Sequence, residues 1–511
     1  MVKRLLILFI CSAISAICYT SCVHKPQVPL VPPDGNYPPE VANIIMNKCA
    51  ISGCHNQASY QNANGLLLDT WDHLLDGGVN GAEIIAYSPQ YSPLVYTINT
   101  DTTGGKIAVK PSMPLSTPGR TFAPLTTAEY NIIYNWIAAG APDKNGNIPF
   151  ASDADTRQKI YLTLSGNDIM AVIDGQRKVV MRYIPMGADS SFIEYAHEVE
   201  FSEDGKYAYV VFYSGNYIQK IDVTIDKVIG QVDMSKIIPP GGSGWSVICM
   251  SPTDTQLAAT NYSNNGGFGI VNTNTMQTKT SNYYGGSFTF VYPHGIACTP
   301  SFDTFFVTAE YGNTIYKYSM RPTTYYGTIP IKGTSAYTSN TLDSSSPNPH
   351  QIEMAPDNSK YFVTCQGTNE VRVMDAHSNH LLAVIPVGVL PQEMTLSASK
   401  NYLLVTCQED NANPLPGRKG SVYVIDYNTY AVVKILYGDF YQPHDLCVDE
   451  KDGYIFIAST NLNPNGPAPH HPIQGGGRAG WYTVYSLSTL EPVDNKRYEV
   501  LIDPYAMNAR F

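Results

Sequence analysis

From about residue 155 to the end, the chain alternates short apolar runs with polar turns, in a unit that repeats about every 50 residues. A unit opens with a lead segment and continues with a turn, an apolar run such as 361–365 (YFVTC), a polar turn and another run such as 371–375 (VRVMD). Four short strands in a repeat of this length predict one blade of a β-propeller. The lead segments are 196–202, 245–251, 293–299, 349–355, 391–397, 443–449 and 504–510.

The ends of this repeat region indicate how the propeller closes. Residues 160–186 contain strand patterns but lack a lead segment, whereas residues 500–511 form a lead segment with no strands after it. The C-terminal strand is therefore expected to complete the first blade and to lock the ring. We predict an all-β, seven-bladed propeller over residues 155–511.

The second residue of each lead segment is unusually often histidine. The seven residues of this column, in chain order, are His197, Ser246, His294, His350, Gln392, His444 and Tyr505. Lead strands are the innermost strands of a propeller, so the column is expected to ring one mouth of the central channel. Proline precedes the column residue in five of the seven segments, which the first residue of a strand tolerates.

Two long loops are expected at the same mouth, because each joins the second and third strands of a blade. They cover residues 409–420 and 461–480, and the second contains His470-His471 and the run 475–478 (GGGR). Converging imidazoles can ligate a metal or a haem, or shuttle protons. Two other interpretations stay open: a pocket for a polar ligand or substrate, and a structural ring inherited through blade duplication. His377 and His380, in a turn between strands, are expected to be surface residues.

The first 39 residues predict export. Lys3 and Arg4 precede an apolar run of signal-peptide length, and residues 19–22 (YTSC) resemble a bacterial lipobox that would place a lipidated Cys22 at the mature N-terminus. A plain secretory signal is the alternative. Residues 23–39 carry six prolines and predict an extended linker. The mature protein is then expected in the periplasm or at the cell surface, held to the membrane by a lipid anchor.

Residues 40–145 contain a candidate haem attachment motif. Two thiols and an adjacent histidine are what haem c attachment needs, and Cys49, Cys54 and His55 supply them with four residues between the cysteines instead of the common two. A Cys49–Cys54 disulfide with an incidental His55 is the alternative. Met113, between two prolines in KPSMP, is a candidate second axial ligand. His73 is expected to be a helix or surface residue.

A helix is predicted near the end of this segment. Thr126 and Glu129 have the spacing of a capping box. Ile132, Ile133, Trp136 and Ile137 supply an apolar face, and residues 140–142 (GAP) end the helix.

Composition narrows the class of protein. The 37 Tyr, 40 Gly and 36 Pro favour many short strands joined by tight turns. With 32 Lys and Arg against 43 Asp and Glu, the formal charge of −11 argues against nucleic acid as a partner. Five cysteines, each inside a predicted strand, are interpreted as buried small apolar residues rather than as a disulfide framework: Cys249, Cys298, Cys365, Cys407 and Cys447.

Residues 42–145 resemble the cytochrome c domain widespread in planctomycete and related bacterial proteins. The resemblance rests on the Cys-His motif and on 64–69 (NGLLLD), 74–78 (LLDGG), 92–95 (SPLV), Met113-Pro114 and 136–142 (WIAAGAP). It implies a small all-α domain in which Cys49 and Cys54 attach haem c, His55 is the proximal iron ligand and Met113 the distal one.

Residues 155–511 resemble the YVTN-repeat, YncE-like propellers and, more distantly, the propeller of cytochrome cd1 nitrite reductase. Together the two resemblances imply an exported electron-transfer lipoprotein whose propeller carries a histidine-ringed axial site. A second redox centre of an oxidoreductase is one interpretation of that site, with His197, His294, His350 and His444 as candidate catalytic residues and the last three as candidate metal ligands. Its partner would be a redox protein or a small-molecule substrate.

Two other functions stay open. The first is a non-enzymatic cell-envelope propeller that binds a ligand and has an accessory cytochrome domain. The second is a hydrolase or lactonase, for which the sequence offers no nucleophile elbow or Ser-His-Asp order that stands out.

Overall fold

The computed structural model describes residues 31–510 except 102, 104–107, 109–111, 117–118, 236, 238–243, 280–289, 321–324 and 460–479. Its dominant feature is a seven-bladed β-propeller, as the repeat predicts. Each blade is an antiparallel sheet of four strands. The predicted signal segment 1–22, including Cys22, and nearly all of the loop 461–480 lie outside the described residues.

The first four blades contain the strands from β1 to β15, and the closing strand β28 Pro504–Ala509 is the innermost strand of blade 1. In chain order they are, for blade 1, β1 Lys159–Leu164, β2 Ile169–Asp174 and β3 Val180–Pro185; for blade 2, β4 Ala196–Phe201, β5 Tyr207–Phe212, β6 Tyr217–Asp222 and β7 Lys227–Asp233; for blade 3, β8 Trp245–Met250, β9 Gln256–Asn261, β10 Gly267–Asn272 and β11 Gln277–Thr278; and for blade 4, β12 Pro293–Cys298, β13 Thr304–Ala309, β14 Thr314–Ser319 and β15 Tyr325–Pro330.

Blades 5 to 7 and the closing strand follow the same order. They are, for blade 5, β16 Pro349–Met354, β17 Lys360–Cys365, β18 Glu370–Asp375 and β19 Leu381–Pro386; for blade 6, β20 Pro391–Ser397, β21 Tyr402–Cys407, β22 Ser421–Asp426 and β23 Val432–Leu436; for blade 7, β24 Leu446–Asp449, β25 Tyr454–Ser459, β26 Gly480–Ser486 and β27 Tyr498–Val500; and the closing strand β28 Pro504–Ala509.

Burial along the strands follows from their place in a blade. The second strand, such as β17, is apolar on both faces because neighbouring blades cover both, and all but its first residue are buried. The outermost strand, such as β7, alternates between exposed and more buried residues, with only Val232 fully buried. The apolar clusters accordingly lie between adjacent blades, for example where Phe306 of blade 4 meets Tyr361 of blade 5.

The ring is closed by the C-terminal strand, as predicted. Strand β28 pairs antiparallel with β1, with Leu162 opposite Met507 and Ile160 opposite Ala509. The innermost strands contact one another in the order β28, β4, β8, β12, β16, β20, β24 and back to β28. The seven lead strands therefore surround a common axis.

Threonines near the ends of the second strands link neighbouring lead strands. The Thr308 hydroxyl accepts a hydrogen bond from Gly295 N of its own blade and donates one to His350 O of the next blade, at 2.8 and 2.7 Å. Thr260, Thr364 and Thr406 make the same donation to the next column residue, which is His294, Gln392 and His444 respectively. Valine stands at the equivalent position 211 of blade 2, and there the His197 ring bonds Ser246 O instead, at 2.9 Å.

One prediction about the cysteines is wrong. Cys249 of β8 and Cys298 of β12 form a disulfide that joins the lead strands of blades 3 and 4. The two residues occupy consecutive rather than identical positions in their lead segments, so the repeat alignment alone does not pair them. Cys365, Cys407 and Cys447 are buried and free, as expected.

The N-terminal part of the described chain is a helical region, residues 32–150, built around one apolar cluster that includes Ile45, Leu68, Ile98 and Ile137. Its helices are α1 Pro39–Ile44, continued by a π-helical turn Ile45–Cys49, then α2 Trp71–Leu75, α3 Pro93–Ile98 and α4 Thr127–Ala138, with 3-10 turns at Tyr60–Asn62 and Pro89–Tyr91. Among the described residues, no helix has both the length and the apolar character needed to cross a bilayer.

Two features of the helical region bear on the sequence predictions. Helix α4 has the predicted capping box, in which Thr126 and Glu129 bond each other's backbone amides, and its buried face includes Ile133 and Trp136. Tyr37, inside the segment 23–39 predicted as a linker, is fully buried and packs edge-to-face on Trp136. The folded part of the chain therefore begins before residue 39.

The helical region packs against the outer side of the propeller at blades 1 and 7. Arg177, in the turn before β3, bonds Asp72 and Asp76, each at 2.7 Å. Ala82 and Ile85 join the apolar cluster between these blades. Residues 79 and 80 accept backbone hydrogen bonds from residues 497 and 499, which lie in or beside β27.

The inter-blade disulfide has a measurable effect on stability. Because Cys249 and Cys298 are 49 residues apart, their bond restricts the unfolded chain, and we expect C249S/C298S to lower the free energy of unfolding by roughly 2–4 kcal/mol. Urea unfolding with and without dithiothreitol measures this. The reductant should lower the wild-type midpoint and leave that of the double variant unchanged; a wild-type midpoint insensitive to reductant would contradict the pairing.

Candidate functional site

The predicted haem-attachment residues lie around the turn that follows α1. Cys49 ends the π-helical turn, and both Cys49 and Cys54 are free thiols of intermediate exposure, so the alternative of a Cys49–Cys54 disulfide is not the observed state. The loop between them is held by Arg120, which bonds Ser52 O at 2.5 Å. Burial raises the pKa of the Cys49 thiol to about 12.

His55 is positioned by its backbone and by one ring nitrogen. Its amide donates to Cys49 O at 3.1 Å, and its Nδ1 lies 3.0 Å from Leu66 O. A carbonyl can only accept, so this contact places the ring proton on Nδ1 and directs the lone pair to Nε2. Burial lowers the pKa of His55 and so favours the neutral ring that a metal requires.

Met113 packs against the apolar cluster of the helical region. It is partly buried, packs against the cluster that Cys49 and Met46 also border, and donates its backbone amide to Thr97 O at 2.7 Å. His73, by contrast, is on helix α2, and its Nδ1 lies 2.6 Å from Asp69 Oδ1. His377 and His380 are exposed, as expected. The residues present therefore fit the requirements of haem c attachment: two thiols, an oriented imidazole and a thioether.

The histidine column of the propeller converges on the axis, as predicted, but it does not border an open channel mouth. All seven column residues are buried, none more than 3% exposed. The ring centroids of His294 and His350 are 3.9 Å apart, and those of His444 and Tyr505 are 3.8 Å apart. These contacts close the axis with side chains.

The remaining members of the column complete this layer. The His197 ring centroid lies 4.7 Å from that of Tyr505 and 5.8 Å from that of His294, bridging past the small Ser246. Gln392 bonds Gln366 Nε2 at 3.0 Å through its Oε1. The ring contacts of the four histidines are therefore unequal, and His294 and His350 have the shortest centroid distance of any histidine pair described.

One carboxylate joins this pair. Glu393, buried and next to Gln392, places Oε1 3.5 Å from His350 Nδ1, while its Oε2 accepts from Gln351 Nε2 at 2.6 Å. One donor atom from each of His294, His350 and Glu393 lies within 4.8 Å of the other two. Two imidazoles and a carboxylate form a donor set for a transition-metal ion.

A bulge explains why consecutive residues reach the axis. In β16 the pairing with β17 shifts between Pro349 and Ile352, and β4, β8, β12 and β20 shift at the same point. Side chains of a regular strand alternate between faces, whereas a bulge turns neighbouring residues toward one side. The second and third residues of a lead segment, such as His350 and Gln351, can then both serve the axial site.

The residues after the histidine column form a layer of acids that the sequence analysis missed. Glu198, Glu393 and Asp445 occupy the third position of their lead segments, and Glu200 and Glu353 the fifth. Burial raises the pKa of all five, that of Glu200 to about 7 and that of Glu353 to about 8. Glu198, Glu200 and Glu353 are half-buried.

A tyrosine cluster beside the histidines was also missed. Tyr213, Tyr262 and Tyr311 follow the second strands of blades 2, 3 and 4, and Tyr292 precedes β12. All four are partly exposed, and the hydroxyls of Tyr262 and Tyr311 are 2.9 Å apart. The Tyr213 ring lies 5.9 Å from His197, and the Tyr262 ring 6.0 Å from His294. The recurrence of tyrosine after the second strand was the available signal.

The loop 409–420 lies at the histidine end of the axis, as expected. Glu409 pairs with Lys419 and accepts a hydrogen bond from Gln442, two residues before His444. The second loop, with His470 and His471, falls almost entirely outside the described residues.

The acid layer predicts a particular pH dependence of stability. A carboxyl whose pKa is raised on folding binds more protons in the folded state, so its stabilising contribution is present at low pH and is lost as pH rises through the folded pKa. For Glu353 the window runs from the ordinary value of 4.5 to about 8. We expect E353Q to lose less unfolding free energy than wild type between pH 5 and pH 8, measured by urea unfolding. E203Q, at an exposed site, is the control; parallel pH profiles for E353Q and wild type would contradict the assignment.

Comparisons with known proteins give a fold-level likeness only. No family model and no curated protein matches the chain. Among solved structures, similar ones are a protein of unknown function from Desulfotomaculum acetoxidans (12% identity, TM-score 0.47, 68% of this chain and 99% of that one) and hydrazine synthase of Kuenenia stuttgartiensis (16%, 0.43, 63% and 91%). A third is the dihydro-haem d1 dehydrogenase NirN (12%, 0.43, 92% and 98%). All three TM-scores are below 0.5, so these likenesses assign no function to this chain.

Proposed function

We propose that the protein is an exported haem c protein that transfers electrons. The observation that carries the proposal is the position of His55, whose Nδ1 is engaged by Leu66 O while two free thiols, Cys49 and Cys54, lie on the adjoining turn. Iron-ligating histidines usually have their second nitrogen fixed by such a hydrogen bond. Met113, at the same apolar cluster, is the proposed second ligand.

Each of these residues has a distinct role in the proposal. Haem c, when bound, would supply a one-electron couple. Cys49 and Cys54 would hold it covalently, His55 would ligate iron through Nε2, and the Met113 thioether would favour the reduced state. The Leu66 carbonyl keeps the His55 ring in one tautomer, and Leu66 is itself a buried member of the apolar cluster.

Export is the second part of the proposal. Residues 1–22 would be the signal, and Cys22 the lipidated N-terminus that anchors the protein to the membrane in the periplasm or at the cell surface. The Cys249–Cys298 disulfide supports an oxidising compartment, because such bonds are rare in reducing cytosol.

The propeller is the third part. Its axial histidines would hold a second redox centre that exchanges electrons with a partner protein or a small-molecule substrate. The buried cluster of His294, His350 and Glu393 supports this role. In that case the protein is an oxidoreductase with two centres.

A non-enzymatic role is the alternative, favoured by the tyrosine cluster. Four partly exposed tyrosine rings next to the axis, Tyr213, Tyr262, Tyr292 and Tyr311, offer stacking surfaces and hydroxyls to a ligand. The propeller would then bind a small molecule at the cell envelope, and the haem c region would be an accessory electron donor. Saturable ligand binding by protein stripped of metal would favour this alternative.

Haem attachment is directly testable. The chain lacking residues 1–22 is produced in a strain that matures haem c. Covalent haem is measured by a reduced-minus-oxidised spectrum after denaturation. We expect about one haem per chain for wild type and none for C49A/C54A, whereas M113H should retain haem and have a lower reduction potential. H73A is the matched control, a histidine on the same region whose ring contacts Asp69, and should behave as wild type. Wild-type protein that folds without covalent haem would refute the proposal.

A further inference from the structure

In the described part of the propeller, one group of three His, Cys, Asp or Glu side chains brings its donor atoms close enough to share a metal ion: His294, His350 and Glu393. Each is buried, with at most 4% of its surface exposed, and one donor atom from each lies within 4.8 Å of the others. They come from three consecutive blades, 4, 5 and 6, so no local turn chemistry explains their meeting. Their proximity follows from the convergence of lead strands on the axis.

Hydrogen bonds with threonines of the second strands fix the backbone of these three residues. Thr260 donates to His294 O, and Thr308 to His350 O. Glu393 N donates to the Thr406 hydroxyl at 3.1 Å. These bonds fix the backbone on which each ligand stands, and such preorganisation is what a metal site requires.

The orientation of Glu393 is set by Gln351. The Gln351 Nε2 donates to Oε2 at 2.6 Å, which leaves Oε1 on the side of His350. Partners of this kind, which orient a ligand without touching the metal, tune affinity by about 10- to 100-fold.

The charge around the trio favours a cation. Asp445 and Glu198 lie close enough to interact electrostatically with Glu393. Several carboxyls brought together in a low-dielectric interior destabilise one another when ionised. A dication bound beside them would offset that repulsion.

We infer that His294, His350 and Glu393 bind one first-row transition-metal dication of the Zn²⁺ or Fe²⁺ class. Two imidazole nitrogens and one carboxylate oxygen suit these ions better than Mg²⁺ or Ca²⁺, which prefer oxygen alone, and better than Cu⁺, which prefers sulfur. Three protein ligands leave a coordination position for a small ligand. The inference rests on the propeller part of the proposed function and not on haem c, and it selects two histidines of the ring while leaving out His197 and His444.

The experiment uses protein produced without haem c maturation, so that its outcome does not depend on the cytochrome proposal. The protein lacks residues 1–22 and carries no tag, and the substitutions H470A/H471A remove the histidine pair of the loop 461–480. It is dialysed against a chelator and then titrated with Zn²⁺ and Co²⁺. Bound metal is measured by elemental analysis, and the Co²⁺ site by its visible d–d absorption. We expect one equivalent per chain.

Matched variants locate the site. H294A, H350A and the isosteric E393Q should each weaken binding at least about 100-fold, and Q351L about 10-fold. H377A and H380A remove exposed histidines that lie away from the axis, and should retain one equivalent. Circular dichroism and the melting temperature show whether each variant is folded. If an alanine variant does not fold, the isosteric E393Q still tests the site.

Two results would overturn the inference. One is folded wild-type protein that binds less than a tenth of an equivalent of either ion at micromolar concentration. The other is a folded E393Q that binds as wild type does. Loss of haem c in the separate attachment experiment would leave this result unchanged, so the failure of one proposal is distinguishable from the failure of the other.

Discussion

The pairing of β28 with β1 is the interaction on which the rest of the structure depends. It joins residues more than 300 positions apart, such as Leu162 and Met507, and turns seven independent sheets into a ring. Without closure, blades 1 and 7 would expose to water the apolar cluster that now lies between them. Closure also sets where the lead strands point, and so decides which side chains meet at the axis.

The centre of this ring is polar, which is unusual for the interior of a folded protein. Histidines close one level of the axis, and carboxyls of Glu198, Glu393 and Asp445 lie at the next position along the lead strands. Burying ionisable groups costs free energy unless they are neutral, hydrogen-bonded or bound to a cation. The threonine bridges between blades satisfy the backbone there, and the side chains are thereby positioned around a potential ion site.

The helical region contacts the propeller at its outer side, through residues 72–85 and the rims of blades 1 and 7. The contacts include ion pairs of Arg177, a merged apolar cluster and backbone hydrogen bonds. Cys49 and Met113 pack against a different apolar cluster from the one shared with the propeller, and His55 bonds Leu66 of that same cluster. The proposed haem attachment and the proposed ion binding at the axis thus involve separate parts of the chain, and each can be tested without the other.

Much of this organisation could be predicted from local sequence. The number of blades, the closure by the C-terminal strand and the helix capped by Thr126 and Glu129 each depend on short-range patterns, because strand period, turn residues and capping need only a few neighbours. The convergence of His294 and His350 followed from their equal places in the repeat.

Tertiary structure decided the rest. The Cys249–Cys298 bond and the approach of Glu393 to His350 join different blades at unequal repeat positions. Both depend on the small offset between neighbouring lead strands and, for Glu393, on a bulge that turns consecutive residues to one side. No periodic pattern in a single strand encodes such an offset, because it arises only when seven twisted sheets pack around one axis.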